Sequence, residues 1–522
     1  MFENSNIMNT NYKQLKEAFE AYQQGTLTSD KLKPIAAPFG IYEQRNGLFM
    51  LRIRVTGGVI SCTALKGIAD ILEREGGTVH LTSRQDIQLH DVPAEKAARL
   101  VEACNLLGLP FKGGGGNTYR NILASARSGI AEEGLFDVYP YALLLNQALE
   151  ASEKAFQLPR KLKIGVFASE QERLSAAVQD LGFLATRRAG QDGFTVYAGG
   201  GMGRDSAVGI TLFDFLPVTE VLRVAIACLE LFHDHGDRTN RNQARIRYLL
   251  KRLGQADFKK LFSEYYAEVQ KRLPPLTLPA SISHAPASKN FSFSNDAKDS
   301  VAYDIWKAIA VLPTRFGDEQ VSVRLFVPYG NLRATELRVL ADLAIQCGSE
   351  QVNLLTTQDI LIPIVHRSCL PQIFDVLKYE LAGLDLLFNS YKGHLVTCVG
   401  ATVCKIGMVD SSAVADAIAQ ALDHYLPADT PEKLNLLRLV ADEVRISGCP
   451  NACSGHPMAR LGIGCINQKV EGEIRPHAQL FCDAGVSNGQ PHLSVPTGDL
   501  ITIEALVPKV VDLLKSWVSL TK

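Results

Sequence analysis

No apolar run in this sequence approaches the roughly 18 residues needed to cross a bilayer, which excludes a helical membrane protein. No charge of one sign dominates either. The formal net charge is −1 at pH 7, so nothing global invites nucleic acid or an acidic membrane surface, and any anion site must be assembled locally. The first residues, MFENSNIMNTNYKQ, carry an early Glu and no apolar core, unlike a secretory leader, and they lack the Arg- and Ser-rich character of a transit peptide. A soluble, cytoplasmic protein is expected. Nucleotide loops are missing too. Gly113–Gly116 is not followed by Gly-Lys-Ser/Thr, and Gly199-Gly200-Gly201-Met202-Gly203 matches such a loop only superficially. There is no flavin or nicotinamide fingerprint and no C-x2-C-x2-C ferredoxin run. Electrons for any redox chemistry would have to come from a separate protein.

What is present is a large, ordinary globular composition. The chain has 522 residues, 46% hydrophobic and 21% charged, which suggests three or four structural units with sizeable cores. Eleven cysteines is an odd number, scattered through a chain with no secretion signal, so a disulfide framework is not expected. Most should be small buried hydrophobes.

The sequence repeats itself. Residues 51–72 read LRIRVTGGVISCTALKGIADIL and residues 323–344 read VRLFVPYGNLRATELRVLADLA. Arg52, Val55, Gly58, Leu65, Ala69 and Asp70 fall on Arg324, Val327, Gly330, Leu337, Ala341 and Asp342, and Gln85-Asp86-Ile87 falls on Gln358-Asp359-Ile360. Each copy reads as strand, Gly turn, amphipathic helix and strand. The Pro-, Ser- and Ala-rich stretch beginning at residue 275 reads as a connector. The copies differ where chemistry could reside. Arg84 and Gln88 in the first face Thr357 and Leu361 in the second, and only the second has clustered cysteines.

Those cysteines are Cys398 and Cys404, spaced C-x5-C, then Cys449 and Cys453 in Gly448-Cys-Pro-Asn-Ala-Cys. Four thiolates suit tetrahedral zinc or an iron–sulfur cubane, and the five-residue gap weighs against zinc, which favours tighter pairs. With the duplication, this string resembles the cluster signature of the sulfite and nitrite reductase haemoprotein family, over residues 35 to 510. The resemblance implies that Cys398, Cys404, Cys449 and Cys453 hold a 4Fe–4S cluster, with Cys453 also ligating a sirohaem iron.

The first copy is rich in cations near strand ends: Arg52, Arg84, Arg120, Arg160, Lys161 and Lys163. Like charges ~4 Å apart repel by ~1 kcal/mol in water and by several times that near a protein interior. Such a set therefore calls for anions. The resemblance implies that Arg52, Arg120, Lys161 and Lys163 bind the substrate oxyanion. It implies that Thr82, Arg84, Gln88, His90, Asn121, Arg160, Arg245, Asn451 and Cys453 contact sirohaem. Arg238, Arg241, Arg247, Lys251 and Arg252, which crowd around Arg245, read as a solvated basic helix face.

The fold expected is α+β, duplicated: ferredoxin-like half-domains at 35–110 and 318–385, larger mixed domains at 111–274 and 386–522, and a linker at 275–317. The expected activity is six-electron reduction of sulfite to sulfide, fed by a ferredoxin or a flavoprotein. Lysine at position 163 is typical of the sulfite enzymes, where plant-type nitrite enzymes have asparagine, so nitrite reduction to ammonia is the second reading. A precorrin-3B synthase-type oxygenase or a non-catalytic tetrapyrrole-binding protein ranks lower, because all four distal cations are present.

Overall fold

The computed structural model describes residues 3–277, 299–381, 390–426 and 430–519. Residues 278–298, the body of the expected linker, and 382–389, at the expected end of the second half-domain, lie outside the described residues. The remainder of the linker segment carries structure: helix Ser300–Ala310 and strand Val311–Pro313. None of the described helices is long and apolar enough to cross a membrane.

The chain is an α+β fold built twice. In the first copy, strands Tyr42–Glu43, Phe49–Ile53, Ile87–Val92 and Thr78–Leu81 lie side by side, and in the second, Val311–Pro313, Gln320–Leu325, Ile360–His366 and Gln351–Leu354 do the same. Each sheet is completed by a short strand from the other copy. Asn331–Leu332 pairs with Thr78–Leu81, and Val59–Ser61 pairs with Gln351–Leu354. The Gly turn after the first repeat strand thus leads not simply into a helix but into an exchanged strand, a feature period and composition do not reveal.

The exchange is locked symmetrically. Helices Cys62–Glu75 and Ala334–Gln346 pack together, with Lys66 paired to Asp342 at 2.5 Å and Arg338 paired to Asp70. Gln85 and Gln358 both sit in the left-handed region, at φ 57° and 69°. Gln85 Nε2 donates across to Leu354 O (2.9 Å), and Gln358 Nε2 donates across to Leu81 O (3.1 Å). Buried backbone carbonyls need partners, and here each copy supplies the other's.

The larger domains also repeat. Leu123–Ala124, Ile164–Phe167 and Leu181–Arg188 run parallel, followed by antiparallel Gln191–Ala198 and Ile210–Pro217. The second version is Val396–Thr397, Val444–Ser447, Leu461–Val470, Glu473–Cys482 and Val495–Thr502, in the same order and sense. Ile164 registers with Leu181 as Val444 does with Leu461, so Lys163 and Asp180 are equivalent to Glu443 and Arg460. One large core joins both ferredoxin-like sheets to the cysteine-bearing sheet, whereas residues 119–269 form a core of their own.

Candidate functional site

On the first sheet, alternation sends Leu51, Ile53, Ile87, Leu89, Val79 and Leu81 into the core. Arg52, Gln88 and His80 are therefore left in register on the opposite face. With the Gln88 amide oxygen turned toward Arg52, it accepts from Arg52 Nε (3.0 Å) and Nη2 (2.7 Å) while its nitrogen donates to His90 Nε2 (2.8 Å). Arg52 Nη1 donates to Gly114 O (2.8 Å). Burial lowers His90 to about 3 and His80 to about 4, so both rings are neutral.

The Gly113–Gly116 loop proves to be a carbonyl cradle. Arg120 Nη1 donates to Gly115 O (2.8 Å), and Arg120 Nη2 donates to Gly116 O (2.7 Å). At Gly115 a Cβ would lie 2.2 Å from Ala37 O and 2.4 Å from the Tyr42 hydroxyl. Only glycine lets this backbone approach closely enough to orient both arginines.

Residues 82–86 form a tight turn whose Thr82 hydroxyl accepts from Arg84 N (3.2 Å) and Asp86 N (3.0 Å). Arg84 donates to Gln179 Oε1 (3.1 Å) and Asn121 O (2.7 Å), and Asn121 Nδ2 donates to Val55 O (2.7 Å) and Arg84 O (3.1 Å). Arg84 Nε and Asn121 Oδ1 remain buried without a partner.

Lys161, Lys163, Arg160 and Arg245 close the site from the larger domain. Arg245 is held by Asp180, with Nε to Oδ1 at 3.0 Å and Nη2 to Oδ1 and Oδ2 at 2.8 and 2.9 Å. Asp180 Oδ2 also accepts from Lys163 N (2.8 Å). The ammonium groups of Lys161 and Lys163 have no hydrogen-bond or ion-pair partner among the described residues. Burial, then Arg245 and Arg120, lowers Lys161 to about 7. Burial, then Arg84 and Lys161, takes Lys163 well below its ordinary value. Burial lowers Arg120 to about 9 and Arg84 to about 10, with neighbouring arginines adding to it.

The cysteines arrive from the second copy. Gly448 N donates to Cys398 Sγ (3.2 Å), and a Cβ at Gly448 would lie 2.5 Å from Val409 O, which accounts for the glycine ahead of Cys449. Cys398, Cys404 and Cys449 all act electrostatically on Cys453, and so does Lys161. Ser83 Oγ donates to Cys453 O (2.7 Å), stitching the cysteine turn to the Arg84 turn. Burial and the other thiols push Cys453 up to about 12. Its side chain is nevertheless solvent-accessible, as expected of a group lining a cleft. Asn451, in the same turn, is exposed. Cys465, which sequence reasoning left aside, is buried beside Cys398 and Cys449.

These residues fit the expected groups. Among the described residues, no three His, Cys, Asp or Glu side chains are gathered tightly enough for a single metal ion. Tetrahedral zinc would draw its sulfurs to about 3.8 Å from one another, given Zn–S of ~2.3 Å. Four thiols brought by two separate turns, which act electrostatically on one another, suit a cubane, in which each sulfur binds a different iron. On the cationic side, seven Arg and Lys side chains face few carboxylates, a deficit that a tetrapyrrole with several carboxylates would fill. A cavity of ≈ 540 Å³ between the first sheet and the Cys398–Cys404 segment lies to one side of these groups: it is lined by Asp91, Asn331, Val399 and Thr402 among others, and of the expected site residues only His90 reaches it.

Two carboxylates at the centre, Asp180 and Asp86, were not anticipated. Asp180 is separated from its partners by strands whose parallel pairing no local pattern announces. Asp86 was visible in the repeated Gln-Asp-Ile string, but its setting was not. The basic segment around Arg245 is also not one helix face: a 3-10 turn at Arg241–Gln243 precedes the helix Ile246–Leu253, and Arg245 itself is buried at the start of that helix.

Known proteins share both kinds of domain with this chain. A family model described as the nitrite and sulphite reductase 4Fe-4S domain matches residues 115–270. A second, the nitrite/sulfite reductase ferredoxin-like half domain, matches twice, at 42–107 and 313–378. Together they cover more than half of the chain. The chain is 25% identical over 510 residues to a chloroplastic ferredoxin–nitrite reductase of Zea mays, covering 95% of this chain and 84% of that one. It is 27% identical over 458 residues to the sulfite reductase (NADPH) hemoprotein beta-component of Acidithiobacillus ferrooxidans, covering 80% and 74%. Among solved structures, the NirA protein of Mycobacterium tuberculosis superimposes with a TM-score of 0.76 at 19% identity, over 98% of this chain and 93% of that one.

Proposed function

The chain belongs to the nitrite and sulfite reductase family, whose members reduce one or the other oxyanion at a sirohaem coupled to a 4Fe–4S cluster, and from that premise we propose that its substrate is sulfite. The observation that carries this reading is the pair Lys161 and Lys163, two half-buried amines without hydrogen-bond or ion-pair partners among the described residues, beside Arg120 and Cys453. A second amine at position 163, depressed by its cationic neighbours until an anion offsets them, matches an anion that can carry two negative charges better than one that carries one. Six electrons and seven protons convert sulfite to hydrosulfide and three waters.

Arg52 and Arg120 have some of their donors fixed by glycine carbonyls and Gln88, so their forks are oriented before the anion arrives. Lys161, near 7, can give and regain a proton around neutral pH, which suits it to protonating departing oxygen. Lys163 is set in place through its backbone N–H on Asp180. Thr82, Arg84, Gln88, His90, Asn121, Arg160, Arg245 and Asn451 would hold the sirohaem. Cys398, Cys404, Cys449 and Cys453 would hold the cluster, with Cys453 shared between the two. When bound, the coupled pair supplies stored electrons and an open coordination position. A separate ferredoxin or flavoprotein would feed it.

The test is anaerobic oxidation of reduced methyl viologen by the sirohaem-loaded protein, comparing kcat/KM for sulfite and nitrite. A preference for sulfite, with sulfide formed, supports the reading. A preference for nitrite, with ammonia formed, transfers the same site to the other substrate. Lys161→Met should lower kcat by ~10²-fold or more with a smaller change in KM, and a change confined to KM would overturn its assignment to proton transfer.

A further inference from the structure

The duplication provides an internal control for one buried acid. Asp359, in the second copy, is fully caged. Its Oδ2 accepts from Arg324 Nε (2.9 Å) and the Thr357 hydroxyl (2.8 Å), and its Oδ1 accepts from Val327 N (3.0 Å). Asp86 occupies the equivalent position in the first copy and is just as deeply buried, at 4% exposure against 2%. Its cage has been dismantled. Arg84 replaces Thr357, and Arg52, the counterpart of Arg324, donates to Gly114 and Gln88 instead.

Asp86 Oδ1 has no hydrogen-bond partner, and no described residue donates to either carboxylate oxygen. The charged groups that face it are Arg52 and Arg54 from the first repeat strand and its end, Arg84 from its own turn, and Arg120 from the segment after the glycine loop. Each is tethered elsewhere. Arg54 donates to Asn146 and Glu150, Arg84 to Gln179 and Asn121, and Arg120 to Gly115, Gly116 and Thr118. An unsatisfied buried carboxylate at such a point is costly unless its charge has a use.

We propose that Asp86 is the charge-balancing acid of this anion site: it is ionised while the surrounding arginines lack an anion and takes up one proton as an oxyanion binds among them. The proposal rests on the anion-site reading above. Burial already pushes the carboxyl up to about 6 against the pull of all four guanidiniums. An arriving negative charge weakens that pull and repels the carboxylate directly, so both effects favour the protonated form. Asp359 has no such freedom, because its partners donate to it directly. Oxyanion binding would then be linked to proton uptake, and would weaken as pH rises past the free-site value.

The probe is nitrite, which remains a monoanion from pH 6 to 8, added to the oxidised holoprotein without an electron donor. Titration calorimetry in two buffers of different ionisation enthalpy counts the protons taken up. The wild type should gain up to one more proton than Asp86→Asn near pH 6.5, with the difference vanishing near pH 8.5. Asp359→Asn should behave as wild type. Equal uptake by the wild type and a nitrite-binding Asp86→Asn protein would overturn the proposal. The wild type alone gives a second readout that needs no variant to fold. A carbonyl-stretch band of a buried protonated carboxylic acid should appear in the infrared difference spectrum on nitrite binding, and its absence would equally overturn the proposal. If nitrite produces neither heat nor a change in the haem spectrum, the anion-site reading itself fails, which is distinct from binding without proton uptake.

Discussion

Replacing Asp180 with Asn should damage this protein far more than its single atom of difference suggests. Asn fills the same volume, and its side-chain oxygen can still accept from Lys163 N, so neither packing nor that hydrogen bond need be lost. The charge is lost. The Asp180–Arg245 pair is bidentate, with side-chain exposures of 0% and 6%, so solvent screens it little. Removing one partner of a buried pair costs about 3–5 kcal/mol, because the other charge is left uncompensated. Here the penalty falls in a cluster where Lys161, Lys163, Arg84 and Arg120 already repel one another. Residues 119–269 have their own core, so the loss should register there first. In hydrogen exchange, amides of strands Leu181–Arg188 and Gln191–Ala198 should exchange about 10² to 10³-fold faster or more, at ~1.4 kcal/mol per decade. The double variant Asp180→Asn/Arg245→Met, which leaves no orphaned charge at this pair, should recover part of that protection. An acceleration below tenfold, or a double variant no better protected than Asp180→Asn, would refute the reasoning.

Gly115→Ala should either prevent folding or weaken oxyanion binding at least tenfold, since its Cβ meets Ala37 O at 2.2 Å and displaces the carbonyl that orients Arg120; anion titration of the purified protein decides it. Cys449→Ser should lose its cluster iron, whereas Cys465→Ser, close by but outside the proposed ligand set, should keep it, as read by iron content and visible absorption. His394 stacks on Phe326 at 4.2 Å, and burial, then Arg324, lowers it to about 3. Its unfolded value is about 6.5, so its contribution is intact above that pH and is lost as pH falls toward the folded value. At pH 5 the loss is about 2 kcal/mol from this residue alone. Urea unfolding at pH 7.5 and 5 should show it, and His394→Asn should flatten the difference.

The duplication was legible because repeated strand, turn and helix preserve apolar positions that any single copy needs. Arg52 and Arg324, or Asp70 and Asp342, align without a structure. The strand exchange at Val59–Ser61 and Asn331–Leu332 was not legible, because three-residue and two-residue strands have no period of their own. The cysteines could be read from spacing and from the glycines that spacing demands. Which side chains surround the lysines could not be read, because Asp180 reaches Lys163 only through parallel strand pairing and Arg245 enters from a helix start 65 residues further on.

The two halves also explain each other's electrostatics. In the second copy Arg324 is bound to Asp359 and Asp442, and those carboxylates raise it above its ordinary value despite burial. That copy is electrically closed and has no need of an anion there. In the first copy the corresponding Arg52 is released from Asp86, and Arg84 and Gln88 stand where Thr357 and Leu361 stand in the other. The Lys163 and Asp180 positions are filled by Glu443 and Arg460, with the signs reversed. A duplicated chain begins with the same charges in both halves, and a pair can be opened on one side only if something else compensates it. Opening the first half leaves cations without partners at the edge of a cleft, and the second half brings four thiols to that same edge. Neither half is a complete site. The one supplies positive charge and the other supplies thiols, and the two meet where the Ser83 hydroxyl donates to Cys453 O and Lys161 acts on the Cys453 thiol.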